Sequence, residues 1–392
     1  MNRRALSLVL VAMSMAGCAN DSGLDTQGTR LDAGTLQTGK TLSGVTLSSA
    51  AWPSADWWKG LGDPQLDGLI QEALQNSPDM QVASARAHQA EAAAYAADAE
   101  RRPTLDASAG GSRSRLAKDQ DPLGQGDAYA TVRNIGASFN YNFDLWGGQR
   151  AAWEAALGQA RAAEVDQQAA RLTLAANVAK AYSDLGQAHI VRDLANDDLK
   201  RTRQMLDLGQ RRLNSGIDSQ YQYQQTESLE ASSQSQLIDA EKQLQSAKIA
   251  LAVLLGKGPD RGSELAQPNV LKPRAVAVPS VLPAELLGRR PDLIAARWRV
   301  EAADQNIDAS KTRFYPNLNL SASAGAESLL GDAMFGSASR FFNIAPTISL
   351  PIFDGGRLRA DLDARDADYD LAVAQSNKTL VPALGAIGNT LS

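Results

Sequence analysis

The chain has 392 residues, which is long enough for two or more ordinary domains, and its formal net charge of −5 argues against a nucleic-acid-binding protein. Aromatic residues make up only 5% of the chain, so no large aromatic core is expected. The two histidines, His88 and His189, lie in polar, helix-like stretches without cysteine or carboxylate at metal-ligand spacing. We therefore expect them at solvated helix positions and predict no metal site.

The first eighteen residues, MNRRALSLVLVAMSMAGC, have the pattern of an export signal: two arginines, an apolar run and small residues. They predict a signal peptide over 1–17. Its end on Cys18 resembles a bacterial lipoprotein signal, although Met15 replaces the usual leucine, and an ordinary signal with an incidental cysteine is the alternative. The resemblance implies a covalent lipid on Cys18, whose several acyl chains would anchor the protein stably. Ala19, where an aspartate would retain the protein, implies sorting to the outer membrane.

Residues 18–50 are rich in small and polar residues, which predicts a flexible leader. A first helix should begin after them, because Asp63 and Pro64 form a typical N-cap and first-turn pair. We expect Trp57 and Trp58 to pack against this helix, the alternative being interfacial anchors. Apolar residues at helical spacing predict its buried face: Leu66, Leu69, Ile70, Ala73 and Leu74.

A second helix, from Pro78 to about Arg102, should lead into a β-hairpin over 103–147. Apolar and polar residues alternate along 103–115 and again along 133–147, which is the period of a strand with two unlike faces. About ten residues per strand suits a tilted crossing of a bilayer. A half-buried hairpin of a soluble protein would show the same alternation.

The next segment, 149–256, is predicted to be a helical hairpin. Its first helix should cover 149–213, because no proline occurs between Pro122 and Pro259. Within it, apolar residues step alternately by four and three, as in coiled coils: Leu174, Val178, Ala181, Leu185 and Ala188. Past the signal peptide no run of about 18 apolar residues occurs, so no membrane-spanning helix is predicted.

The sequence LNSGIDS, at 213–219, should form the turn of this helical hairpin. Asn214 and Gly216 favour turn conformations, and either Asp218 or Ser219 can cap the returning helix. Gly256 is a typical residue for the end of that helix. The proline-rich segment 259–283 is interpreted as a linker.

The chain contains an internal repeat. Residues 78–109 align without a gap with 291–322, at an offset of 213, and a second alternating hairpin is predicted over 316–353. Repeat 1 is therefore assigned to 51–258 and an incomplete repeat 2 to 284–392.

Each repeat passes from its hairpin into a helix through a related motif, FDLWGG in the first and FDGG in the second. The paired glycines should allow the bend, and the aspartate should cap the following helix. The predicted strand-to-helix corners are Phe143, Asp144, Gly147 and Gly148 in repeat 1, and Phe353, Asp354, Gly355 and Gly356 in repeat 2.

Four membrane-length strands cannot close into a barrel, and an open sheet edge in lipid leaves backbone groups unpaired. Three copies would supply twelve strands, an even number that can close. The predicted fold class is thus an α+β membrane protein: a trimeric 12-stranded β-barrel, four strands per chain, with long α-helical coiled coils and a duplicated helix-hairpin-helix unit.

The motifs WWKGLGDPQLDGLIQEAL, FDLWGG, LPAELLGRRPDLIAAR and LPIFDGGRLRA, together with the lipoprotein signal, span nearly the whole chain. In them the chain resembles TolC-like outer membrane efflux proteins of the lipoprotein (OprM/NodT-like) branch. The resemblance implies a homotrimer anchored in the Gram-negative outer membrane, with a helical tunnel in the periplasm that meets a periplasmic adaptor and an inner-membrane pump. It also implies that the helical turn faces the adaptor, through Asn214, Ser215, Gly216, Ile217, Asp218 and Ser219.

The second repeat departs from the family, because only 36 residues follow Gly356. Family members continue through a complete second helical hairpin. We expect a frameshifted or incomplete reading frame, the alternative being a natural short form.

The function that these features predict is passive conduction of toxic small molecules, such as drugs, antimicrobials or organic acids, out of the periplasm. No catalytic motif was found, so no enzymatic activity is expected, and no cofactor beyond the lipid on Cys18. A lipoprotein that scaffolds an envelope complex through its coiled coil, without a pore, is the alternative. The membrane-length hairpins favour the channel, because a scaffold does not need them.

Overall fold

A computed structural model of the chain describes residues 21–31, 47–48, 56–115, 129–269, 278–279, 289–329 and 334–391. The predicted signal peptide and Cys18 lie outside these described residues. The helices and long strands follow one another in this order: α1 (Pro64–Asn76), α2 (Pro78–Glu100), β1 (Thr104–Arg115), β2 (Tyr129–Phe143), α3 (Gly148–Asn214), α4 (Gln220–Leu254), α5 (Pro291–Lys311), β3 (Asn317–Leu329), β4 (Arg340–Ser349) and α6 (Arg357–Leu391).

The chain divides into two compact units. The sheet unit takes its residues from 1–36, 88–162 and 293–383, and the helical unit takes its residues from 37–87, 163–292 and 384–392. In the sheet unit the four long strands form one antiparallel sheet in the order β1-β2-β3-β4. The central pair, β2 and β3, joins the two predicted repeats, so each chain contributes one continuous four-stranded panel.

The helical hairpin predicted over 149–256 is confirmed. Helix α3 has 67 residues, about 100 Å at 1.5 Å per residue, and α4 has 35. Arg203 of α3 lies 2.9 Å from Glu230 of α4, and Ser233 of α4 donates a hydrogen bond to Asp198 of α3. Both helices remain unbroken because their interiors contain no proline.

The core of the helical unit packs the first helix and its preceding tryptophans against α3 and α4. Trp58 is 2% exposed, which confirms its expected packing role. The predicted apolar face of α1 is confirmed, and the coiled-coil positions of α3 contribute to the same cluster: Leu66, Leu69, Ile70 and Ala73 from α1, and Leu174, Val178 and Leu185 from α3.

Asp63 links this helix cap to the core. One carboxylate oxygen accepts the backbone N–H of Gln65 at 2.9 Å, and the other accepts the hydroxyl of Tyr182 at 2.7 Å. Both Asp63 and Tyr182 are almost fully buried, with 3% and 1% of their surfaces exposed. Burial, followed by the hydrogen bond to Asp63, raises the pKa of Tyr182 well above its ordinary value. The Asp63 carboxylate is therefore both an N-cap and the acceptor for a buried hydroxyl.

Two segments that were predicted to be irregular or flexible are held by specific contacts in the structure. Residues Pro259–Glu264, within the expected linker, form a 3₁₀-helix in which Arg261 makes two hydrogen bonds to Glu72. Residues 21–31, within the expected flexible leader, lie along α6. Asp370 accepts the backbone N–H groups of Gln27 and Gly28, and Asn377 accepts that of Leu31. In both segments a charged or amide side chain from a helix orders the irregular chain, and composition does not reveal such long-range partners.

The expectation for His189 was wrong. His189 is 7% exposed, and neither ring nitrogen has a hydrogen-bond partner among the described residues. Its pKa is lowered by burial first, then by the charges of Arg192 and Lys248, which outweigh Asp193. Helical periodicity placed His189 in a polar stretch of α3, but the sequence could not show that the side of the helix carrying His189 is buried by other parts of the protein.

Burial of His189 predicts an acid-sensitive helical unit. The pKa of His189 is lower in the folded state than in the unfolded state, so protonation favours unfolding. The free energy of unfolding should therefore decrease as the pH falls below about 6.5. His189→Leu should remove this part of the pH dependence, since leucine needs neither a proton nor a partner. The measurement is the midpoint of urea unfolding at about pH 8 and about pH 5. His88→Leu, at an exposed position, is the control, and equal pH dependence in both variants would contradict the prediction.

Candidate functional site

The four-stranded sheet has one apolar and one polar face, as the alternation in the sequence predicted. The strand register places alternate residues of each strand on a common face. Large apolar side chains on that face are exposed in the single chain, including Leu105 at 75%, Phe342 at 83% and Ile348 at 73%. The residues of the apolar face include Leu105, Ala107, Ile135, Ala137, Phe139, Tyr141, Phe143, Leu318, Leu320, Ala322, Phe342, Ile344 and Ile348. A continuous apolar face of this kind must be covered by an apolar partner surface or by lipid.

The opposite face of the sheet carries mainly hydroxyl, amide and carboxylate groups. The registers Asp106–Ser138–Ser323–Asn343 and Asn142–Asn319–Thr347 each form a polar row across the strands. Phe341 is an exception on this face, and its ring lies over the glycine pair Gly136 and Gly325. The polar face is therefore suited to border water, whereas the apolar face exposes large apolar side chains.

The first strand-to-helix corner follows β2. Asp144 accepts the backbone N–H groups of Gln149 at 3.1 Å and Arg150 at 2.9 Å, which confirms that it caps α3. Gly147 has φ +79°, in the left-handed region that favours glycine. Gly148 is not in that region. It is the first residue of α3, where a Cβ atom would lie 2.1 Å from Oγ1 of Thr312. Gly148 is therefore needed for space rather than for the bend itself.

The second corner, before α6, also has an aspartate that caps the following helix, but its glycines adopt different backbone conformations. Asp354 accepts the N–H groups of Gly356 at 3.0 Å and Leu358 at 2.9 Å. The bond from Leu358 is the largest cause that lowers the pKa of Asp354. Gly355 and Gly356 both adopt positive φ, +69° and +90°, as predicted for the bend. Phe353 is 90% exposed, and so it points away from the rest of the chain.

An aromatic pair beside the first corner was not identified from the sequence. The rings of Trp146 and Tyr315 stack with centroids 4.9 Å apart, and Trp146 donates a hydrogen bond to the carbonyl of Pro316 at 2.8 Å. The pair borders a cavity of about 560 Å³. The sequence offered one signal for this pair: Trp146 lies within the motif FDLWGG, and Tyr315 directly precedes the repeated proline Pro316. The contact fixes the start of β3 against the corner after β2.

The predicted turn of the helical hairpin is confirmed and belongs to the helical unit. Gly216 has φ +70°, and Ser219 rather than Asp218 caps α4, in a capping box with Gln222. Asp218 instead makes two hydrogen bonds of 2.9 Å with Arg212. Ile217 is 66% exposed at the turn. The turn is therefore a rigid hairpin end that presents one apolar side chain.

Two further observations concern metal binding and membrane-spanning helices. In the part of the chain that the structure describes, no group of three or more histidine, cysteine, aspartate or glutamate residues is arranged to hold a metal ion. None of the helices in that part is both long enough and apolar enough to cross a membrane.

Comparison with known proteins matches residues 69–257 and 282–390 to the model of the outer membrane efflux protein family. The chain is 36% identical over 371 residues to the fusaric acid resistance protein FusA of Burkholderia cepacia, covering 93% of this chain and 69% of that protein. It is 31% identical over 397 residues to the pyoverdine export outer membrane protein OpmQ of Pseudomonas aeruginosa, covering 100% of this chain and 82% of that protein. Among solved structures it is similar to the outer membrane protein VceC of Vibrio cholerae, with a TM-score of 0.79, 36% identity and coverage of 86% and 80% of the two chains. These likenesses confirm the fold class predicted from the sequence.

Proposed function

The chain belongs to the outer membrane efflux protein family, and from this premise we propose that it forms the outer-membrane duct of a tripartite efflux system. The observation that carries the proposal is the division of the four-stranded sheet into one apolar and one polar face. The apolar face lies against lipid, and the polar face borders the water through which the exported molecule passes. Conduction is passive, and the energy is supplied by the partner pump.

Closure of the duct needs more than one copy. Strands β1 and β4 are the edges of the sheet, and each would leave unpaired backbone groups in lipid, at several kcal/mol each. In a homotrimer β4 of one copy pairs with β1 of the next, and twelve strands close without an edge. Strand order supports this arrangement because the two free edges come from different hairpins.

The long helices form the periplasmic part of the duct. Apolar side chains on α3 and α4 remain exposed in the single chain, among them Ile190 at 59%, Leu194 at 70% and Ile238 at 55%. Helices of neighbouring copies cover them in the trimer, as in coiled coils. The hairpin turn with Ile217 then meets a periplasmic adaptor, which connects it to an inner-membrane pump.

The protein is anchored in the outer membrane by lipid on Cys18. The signal sequence supports this assignment, and Cys18 is the one cysteine of the chain. Cys18→Ser should abolish incorporation of radiolabelled palmitate, because the thiol accepts the diacylglyceryl group that carries the first acyl chains. Cys18→Ala should behave in the same way, and labelling at the wild-type level in either variant would refute the anchor.

The exported molecules are toxic small compounds. FusA is named for resistance to fusaric acid, and the E. coli relative MdtP, 32% identical over 341 residues, is named for multidrug resistance. These names support organic acids and drugs as the classes to test first. Specificity lies mainly in the pump, so the duct itself needs only a wide polar lumen.

The proposal is tested by extracting the full chain from membranes in mild detergent. The protein should migrate as a trimer that dissociates on heating, and it should conduct ions when it is inserted into a planar bilayer. A monomer at all concentrations, with no conductance, would refute the duct and favour the scaffold alternative.

A further inference from the structure

The charged residues of the sheet are sorted between its faces. Among the described strand residues, both carboxylates, Asp106 and Glu327, lie on the polar face. All four cations lie on the apolar face: Arg113, Arg115, Arg133 and Arg340. An arginine is unexpected on a face that meets lipid, because at the centre of a bilayer it costs about 2–4 kcal/mol.

The arginines occupy one end of the apolar face. Arg133 and Ser328 form a register pair, and the next row towards the helices contains Ile135, Ala326 and Arg340. Arg113 and Arg115 lie further towards the connection between β1 and β2. All four side chains are exposed. They form a basic belt, defined by these four residues, at the end of the sheet opposite the strand-to-helix corners.

The apolar band between belt and corners has the height of a membrane core. From Ile135 to Phe143 the chain advances eight residues along β2, about 27 Å at roughly 3.4 Å per residue. With a strand tilt of about 40°, the band is about 20 Å high, close to the roughly 25 Å of outer-membrane barrels. The belt therefore lies at the membrane surface farther from the helices, where long arginine side chains can reach the headgroups.

We propose that the basic belt binds the phosphate groups of anionic lipid headgroups in the leaflet farther from the strand-to-helix corners. The guanidinium group donates in a planar fork that matches two phosphate oxygens, and in an anionic headgroup the charge of that phosphate is not balanced by a choline or amine cation. On the strands, the belt shares its face with no carboxylate, so its charge is complementary to a phosphorylated lipid surface. In the closed trimer, Arg340 of one copy comes to the same edge as Arg113 and Arg115 of the next, and so two copies contribute to each site. This inference rests on the proposed duct, because only a sheet in a membrane brings the belt to lipid.

The test measures lipid binding to the detergent-solubilised trimer by native mass spectrometry. The probes are phosphatidylglycerol, which carries a net negative charge, and phosphatidylcholine, which does not. The double variant Arg133→Gln/Arg340→Gln should bind phosphatidylglycerol about 25-fold more weakly, at roughly fivefold per arginine, with little change for phosphatidylcholine. The matched control Arg211→Gln/Arg297→Gln removes the same charge from exposed helical positions and should bind as the wild type does.

A second variant and a competition experiment complete the test. Arg133→Lys/Arg340→Lys keeps the charge without the fork and should recover only part of the binding. Inorganic phosphate should compete poorly with phosphatidylglycerol, because the belt binds several headgroups at a lipid surface. Full displacement of the lipid by inorganic phosphate alone would overturn the assignment to lipid. Unchanged phosphatidylglycerol binding in the glutamine variant would overturn the belt itself.

Conductance in a planar bilayer separates the two proposals. If the glutamine variant loses its lipid selectivity but still conducts, the belt is supported and the duct is unaffected. If the wild type does not conduct, the proposed duct is refuted.

Discussion

Replacement of Gly325 with valine should abolish the heat-sensitive trimer and its conductance. Gly325 pairs with Gly136 across the junction between β3 and β2. A Cβ atom at Gly325 would lie 2.3 Å from the carbonyl oxygen of Ile135 and 2.8 Å from the Cα atom of Gly136. These atoms belong to the backbone of the neighbouring strand and cannot move without separating the two hairpins. Such overpacking costs about 3 kcal/mol or more, and in lipid it also exposes unpaired backbone groups.

Gly111→Val is the matched control for this prediction. Gly111 lies in the same sheet, but a Cβ atom there meets only the carbonyl oxygen of Val132, at 3.8 Å, which is an ordinary contact. The control should therefore form trimers and conduct as the wild type does. The measurements are electrophoresis with and without heating and conductance in a planar bilayer. Normal trimers in Gly325→Val would show that β2 and β3 do not pair as described.

Replacement of Asp63 with alanine should destabilise the helical unit by about 2–4 kcal/mol. The loss of the N-cap of α1 accounts for about 1 kcal/mol. The rest comes from the buried hydroxyl of Tyr182, which loses its acceptor at a cost of about 1–3 kcal/mol. Thermal unfolding followed by circular dichroism would measure the change, as a transition at lower temperature than in the wild type.

Two further variants separate these causes. Asp63→Ala/Tyr182→Phe removes both partners, so it should be more stable than the sum of the single changes predicts. Asp354→Ala removes a cap that has no buried hydroxyl partner among its described contacts, and it should cost only about 1 kcal/mol. Strict additivity of Asp63→Ala and Tyr182→Phe would contradict the proposed coupling.

Local patterns in the sequence determined most of the elements correctly. Strand alternation predicted the two faces of the sheet, and the FD…GG motifs predicted the capping roles of Asp144 and Asp354. These inferences succeeded because each depends on residues within a few positions of one another. The separate role of Gly148 was not visible, since it depends on Thr312, which is distant in the sequence.

Interactions between distant segments accounted for what the sequence could not show. Two hairpins with identical alternation could pair through several edges, and only the structure joins β2 to β3. In the same way, a leader rich in small residues predicts flexibility, although Asp370 and Asn377 hold part of it by backbone hydrogen bonds. A Cβ atom at Gly28 would lie 2.9 Å from the Asp370 carboxylate, so the absence of a side chain there permits the contact. Composition alone does not distinguish such a glycine from a flexible one.

The joining of both hairpins into one panel has a consequence for pore size. Because a chain supplies its four strands as an indivisible set, the bore can change only in steps of four strands, through the number of subunits. Barrel diameter grows roughly in proportion to strand number, and about eight strands leave space only for their own side chains. A two-subunit ring would be plugged, and a four-subunit ring would widen in a single step. The backbone diameter of the barrel is thus set by the number of subunits, in steps of four strands.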